Sequence, residues 1–268
     1  MNMQAVTLWP LAGVVGLLVG SFVNVIAWRW YRPELPRPLA LSTRSQCPEC
    51  NKVLAWYELV PLVSFLVQRG RCRHCRKQLS WRYPVVELLT ASIFAVIVAT
   101  YGLHPQSAFL LILASNFLVV ALVDTETQLI PDQLSVAGLV VSGLGLLSLR
   151  LPNLISQSPE YVSVFSLGVV GAVIGVALLG FIVLVTKGRG MGIGDIKLGG
   201  VLGLSLGGPA TLLALFVAFV SGAAFGLTLL LRGKASMKTA VPFGPFLIVG
   251  WLVAVLWGQQ LIAWYTGF

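Results

Sequence analysis

Residues 198–231 read LGGVLGLSLGGPATLLALFVAFVSGAAFGLTLLL, a run without one ionisable side chain. It exceeds the roughly 20 apolar residues that carry a helix through a bilayer. Gly207-Gly208-Pro209 is a turn signal inside it. The run therefore divides into a short helix and a full span over 210–231. Similar runs recur at 7–28, 84–102 (with Glu87 as its one acid), 106–123, 133–149, 161–186 and 241–264. The expected fold is an all-α polytopic membrane protein with about eight transmembrane helices. Composition agrees: 57% of the 268 residues are hydrophobic and 10% charged, and mean hydropathy is +0.90. A soluble domain carries roughly 25% charged residues, and a disordered chain needs low hydrophobicity. Both classes are excluded. The first run lacks a basic leader and is longer than a typical signal-peptide core, so it reads as a retained helix.

Basic residues outnumber acidic ones 18 to 9. Eleven of the 18 lie between the first two spans, from Arg29 to Arg82. Lys187, Arg189 and Lys197 surround the loop before the sixth span, and Arg232, Lys234 and Lys238 precede the eighth. Only Arg150 lies in an intervening loop. With eight spans these three loops share one side, which the positive-inside rule makes cytoplasmic. Both termini then face the periplasm. The basic excess is a topology signal, and no nucleic-acid partner is expected.

The expected organisation is a first transmembrane helix (1–28), a cytoplasmic insert (29–83) and a seven-helix membrane domain (84–268). All four cysteines lie in the insert, as Cys47-Pro-Glu-Cys50 and Cys72-Arg-His-Cys75. Two CxxC pairs separated by 21 residues have the spacing of a tetrahedral zinc site. A reducing compartment disfavours disulfides, and a metal offsets the small core of such a loop. Zn is the expected occupant, with Cys47, Cys50, Cys72 and Cys75 as ligands; a redox pair is the other reading. His74 reads as a bystander or an alternate ligand. The apolar stretch 57–67 is too short to span, and reads as an interfacial helix or the packing face of the metal module.

With only nine acids, each one near a span is informative. Asp124 closes the third span and Asp195 opens the sixth, in Gly192-Ile193-Gly194-Asp195. The topology puts both on the same face at similar depth, where two carboxylates sharing a proton supply the general base and general acid of an aspartyl protease. Plain helix-end roles suit the same positions, with Asp195 as an N-cap. Glu126 and Asp132 are rival partners, and Asp132 also reads as a cap. Glu87 is expected to pair with Arg82 or to line a binding site. Gly190, Gly192 and Gly194 are expected to adopt unusual backbone angles and admit a substrate strand. No His-Glu-x-x-His helix and no Gly-x-Ser-x-Gly elbow is present.

These residues together resemble the type IV prepilin peptidases. The likeness rests on Gly192-x-Gly194-Asp195-Ile196-Lys197-Leu198 and on Asp124 followed by Gln128-Leu129-Ile130-Pro131-Asp132. It extends to Gly20-Ser21-Phe22-x-Asn24-Val25, both cysteine pairs, Arg82-Tyr83-Pro84-x-x-Glu87 and Pro242-Phe243-Gly244-Pro245-Phe246. The resemblance implies a bifunctional inner-membrane enzyme. It would cut the basic leader from type IV prepilins or type II secretion pseudopilins on the cytoplasmic side. It would then methylate the new N-terminus with S-adenosylmethionine. The resemblance makes Asp124 and Asp195 catalytic and the cysteines metal ligands, and leaves the methyl-donor residues unknown. Glu34, Glu49, Glu58, Glu126 or Asp132 is expected to read the basic leader. A cleavage-only protease is the nearest alternative, and an ion-coupled transporter the alternative from another class.

Overall fold

The computed structural model describes residues 3–30, 44–47, 49–148, 160–233 and 240–267, and within 3–7 and 160–167 only the backbone. Among these residues the regular structure is helical: α1 (Met3–Trp30), α2 (Val63–Val67), α3 (Arg82–Tyr101), α4 (Pro105–Thr127), α5 (Asp132–Ser148), α6 (Glu160–Thr186), α7 (Ile193–Leu206), α8 (Gly208–Leu231) and α9 (Gly244–Thr266). Extended pairing is limited to two isolated bridges, Gln46–Val53 and Arg71–Gln78. Six helices (α1, α3, α4, α6, α8 and α9) are long and apolar enough to cross a bilayer. All eight expected helices form, but α5 has 17 residues and α7 only 14. The middle of α7, from Leu198 through Gly203, is enclosed by protein, so its length is not tied to the lipid thickness.

The chain divides into two compact units, 1–119 and 120–268. In the first, α1 lies directly against α3. A Cβ at Gly16 would sit 2.7 Å from the Cα of Ala91, and one at Gly20 would sit 2.8 Å from the Cα of Glu87. The contact therefore needs a residue without a side chain. Asn24, on the same helix, donates to the carbonyl of Tyr83 at 3.2 Å. The expected packing role for 57–67 is met: Phe65 is buried, contacts the Trp81 ring at 5.1 Å and covers Gly70. Trp56, Leu66, Val67 and Trp81 stay exposed beside it.

In the second unit, α7 lies among α5, α6, α8 and α9. Gly171 and Gly175 on α6 face Gly203 and Gly199 on α7, backbone against backbone. This is how helices associate where lipid removes the hydrophobic drive between them. Ser142 of α5 reaches the Val201 carbonyl, and the indole N–H of Trp251 on α9 donates to Ser205 at 3.0 Å. At Gly207 the chain turns with φ of 84°, a left-handed angle glycine tolerates, and α8 starts at once.

Replacing Gly203 by valine would drive a side chain into the Gly171 carbonyl. It is expected to cost about 1–3 kcal/mol and to lower the melting temperature of the protein in detergent. Gly180→Ala, where nothing lies within 4 Å, is expected to leave it unchanged or raise it.

Candidate functional site

The four cysteines converge. Their sulfurs all lie within 4.8 Å of one another, and Cys47 Sγ is 4.0 Å from Cys75 Sγ. Tetrahedral metal–thiolate bonds near 2.3 Å place sulfurs about 3.8 Å apart, so the cluster is sized to hold a metal ion. Two loops of the same backbone design build it. The amide of Cys47 donates to the Lys52 carbonyl and that of Cys72 to Lys77; Asn51 donates back to Cys47 and Arg76 to Cys72. Asn51 and Arg76, at matching positions, both have left-handed angles, with φ of 55° and 57°. The Glu49 carboxylate on the first loop pairs with the Lys77 ammonium on the second. Burial pushes the Cys47 thiol up to about 11, whereas backbone donors led by Cys75 hold Cys72 down to about 7. A bound cation would draw all four to thiolate. His74 falls outside the cluster, with Nε2 3.8 Å from Oε1 of the buried Glu58.

The two aspartates lie in the second unit, and both are buried, with 4% of Asp124 and 8% of Asp195 exposed. Each is held at a helix N-terminus. Asp195 is the third residue of α7, and its Oδ2 accepts the N–H of Gly192, the residue before the helix, at 3.0 Å. The cap expected at Asp195 is thus at Gly192, with Asp195 folding back onto it. Asp124, near the end of α4, accepts the N–H of Gly244 at 2.9 Å and so caps α9. A Cβ at Gly244 would lie 2.7 Å from that oxygen, so only glycine lets the carboxylate approach. Among the described residues nothing hydrogen-bonds to Oδ1 of either aspartate. Asp124 is near enough for its charge to act on Asp195. The arrangement leaves one oxygen of each carboxylate available, on a scaffold of helix dipoles that favours negative charge.

The rival acids are placed differently. Asp132 begins α5 and pairs with Lys197 at 2.6 Å, and Glu126 is exposed. Of the expected leader readers, Glu49 and Asp132 are engaged by lysines, Glu58 is buried, and Glu34 lies outside the described residues. Glu87 accepts the Leu62 amide at 2.8 Å and lines a cavity. The expectation for the glycines at 190–194 is corrected. Gly192 is extended, with φ of −85°, and neither Gly190 nor Gly194 has a left-handed angle. At Gly194 the constraint is space, because a Cβ there would meet Ile130 at 2.8 Å. Left-handed angles fall instead on Lys187 and Gly188, earlier in the same loop, and on Gln128, which follows α4 and whose side chain donates to the Ala240 carbonyl.

Comparison with known proteins follows the same two segments. A family model for the bacterial peptidase A24 N-terminal domain matches residues 14–101, and the model described as the type IV leader peptidase family matches 111–227. A prepilin leader peptidase/N-methyltransferase of Pseudomonas putida is 36% identical, covering 94% of this chain and 92% of its own length. The chain belongs to the type IV leader peptidase family. Relatives of the same name are 33% identical in Stutzerimonas stutzeri (95% of this chain, 92% of the relative) and 32% in Bacillus subtilis strain 168 (94% and 95%). No solved structure matches the chain.

The cysteine cluster predicts bound metal. The purified protein is expected to carry about one metal ion per chain by elemental analysis, as a single tetrahedral thiolate site would. Cys47→Ser or Cys72→Ser, at the two buried positions, is expected to abolish it.

Proposed function

We propose that this protein cleaves the leader peptide of type IV prepilins or type II secretion pseudopilins and then N-methylates the exposed N-terminus. The observation that carries the cleavage reading is the pair of buried aspartates, each fixed through one oxygen and open at the other. The names of relatives matched along nearly the whole chain carry the methylation reading. Asp124 and Asp195 are the catalytic residues in this proposal. The ionised member of the pair takes a proton from water as its oxygen adds to the scissile carbonyl carbon. The protonated member gives its proton to the developing oxyanion. The tetrahedral adduct then collapses, the C–N bond breaks, and the leaving amine is protonated from the pair. The amides of Gly192 and Gly244 hold both carboxylates in register, so little reorganisation precedes the reaction.

The substrate reading follows from chemistry at a bilayer surface. A basic leader joined to an apolar helix places its scissile bond at the interface, where water is present. The exposed Glu126, two residues beyond Asp124 in the chain, is the expected contact for the basic leader. The basic loops put this face in the cytoplasm and both termini in the periplasm of a bacterial inner-membrane protein. Zinc is the proposed metal at Cys47, Cys50, Cys72 and Cys75, as four thiolates in a closed site favour it over harder cations. In a closed site it would supply folding energy and no open position for chemistry. The proposed organisation is a first membrane helix over 1–28, a metal-binding insert over 29–83, and a membrane domain from 84 onward that carries the protease.

The decisive assay incubates reconstituted protein with a prepilin and a methyl-labelled donor. Wild type is expected to cleave and then label the product. Asp124→Asn and Asp195→Asn are each expected to reduce cleavage by at least roughly a thousandfold, as loss of a dyad member does. Wild-type rates in either variant would refute the dyad, and cleavage without label would leave a protease alone. Gly244→Ala is expected to retain metal but lose most cleavage, because its methyl group displaces the Asp124 carboxylate.

A further inference from the structure

The first unit contains a cavity of about 350 Å³ between α1, the metal-binding loops, α2 and the start of α3. That volume lies in the range of small-molecule sites. Its wall is mostly apolar and includes the rings of Trp28, Phe65 and Tyr83. Set into the wall are four polar side chains more than nine-tenths buried: Asn24, Arg29, Glu58 and Glu87. Glu58 is anchored by a backbone amide, and Glu87 by a backbone amide and the Ser21 hydroxyl. Glu58 Oε2 accepts the Ala55 amide at 2.8 Å, and Glu87 Oε2 accepts the Leu62 amide at 2.8 Å. Glu58 Oε1 and Asn24 Oδ1 are buried without a hydrogen-bond donor. His74 Nε2, at 3.8 Å from Glu58 Oε1, lies beyond hydrogen-bond reach. Buried acceptors left open are costly, and a bound donor would recover that cost.

We infer that this cavity is where S-adenosylmethionine binds. The inference rests on the methylation reading and adds to it the location of the donor. The ligand has a flat adenine, a sulfonium cation and a zwitterionic amino acid. Rings suit the adenine. Glu58 and Glu87 suit the sulfonium and the ammonium, and Asn24 Oδ1 accepts an N–H. Arg29 and Arg44, which also line the cavity, suit the carboxylate. In the transfer, the neutral N-terminal amine of the cleaved product attacks the methyl carbon. The carbon–sulfur bond breaks with its electron pair going to sulfur, leaving a neutral thioether, and the amine gives up one proton to solvent. Cys47 and Cys72 line the same cavity, so the metal-binding loops form part of its wall and metal loss would open it.

The test uses full-length protein in detergent with S-adenosylmethionine carrying a labelled methyl group. Ultraviolet crosslinking followed by peptide mapping is expected to place the label within residues 21–29 and 44–87. Label confined to other segments overturns the inference without any variant. Calorimetric titration with S-adenosylhomocysteine, a neutral thioether, and with sinefungin, a cationic analogue, supplies a second readout. Glu58→Gln and Asn24→Leu are expected to weaken sinefungin binding roughly tenfold or more, the size of one charged hydrogen bond. Glu58→Gln is expected to affect the neutral ligand less. Ser64→Trp, which fills the cavity from α2 and leaves the carboxylates in place, is expected to block both ligands. Variants are compared at wild-type metal content, and unchanged binding in all three overturns the site. Failure of wild type to label a cleaved prepilin would instead overturn the methylation reading itself.

Discussion

A carboxylate enclosed by membrane helices must find backbone N–H groups, and only helix N-termini have them to spare. Asp195 takes one from the start of α7 and Asp124 one from the start of α9. Much of the second unit follows from this. The start of α9 must reach the end of α4, which Gly244 allows, and the loop after α4 must turn sharply at Gln128. The aromatic cluster of Phe219, Phe225, Phe243 and Phe246 then pins the start of α9 to α8. The helix-end roles of both aspartates are therefore real: one oxygen of each carboxylate serves the scaffold. In the proposed reaction the other oxygen is the one that handles the proton.

The first unit applies the same economy to a different group. Glu58 and Glu87 each spend one oxygen on a loop amide. The metal-binding loops repeat a single turn design twice, at Cys47–Lys52 and Cys72–Lys77. Each turn requires a left-handed residue, and neither Asn51 nor Arg76 is glycine. Four sulfur–metal bonds would hold both turns together against that strain, as a module too small to fold on apolar burial alone requires.

Helix number, the metal cluster and the two aspartates were all legible in the sequence, because hydropathy, CxxC spacing and rare acids are local signals. What was not legible depended on which helix faces which. Nothing near Asp124 in the chain marks Gly244 as its donor, since 120 residues separate them. The glycines before Asp195 were read as conformationally special, yet Gly194 is small because Ile130 presses on it. Glu87 takes its amide from Leu62, 25 residues away in the chain, which nothing local to Glu87 marks. The cavity is built from three separated stretches and had no sequence signal beyond Gly20-Ser21-Phe22-x-Asn24 and Glu87.

The brevity of α7 has a further meaning. Fourteen residues make a helix about 21 Å long, against a hydrocarbon layer about 30 Å thick. Irregular chain lies just before α7, at residues 187–192, and just after α4, at 128–131. Peptide groups outside a helix are tolerated at membrane depth only where protein or water covers them. A helix this short therefore obliges its surroundings to cover the chain at its first turn, where Asp195 sits.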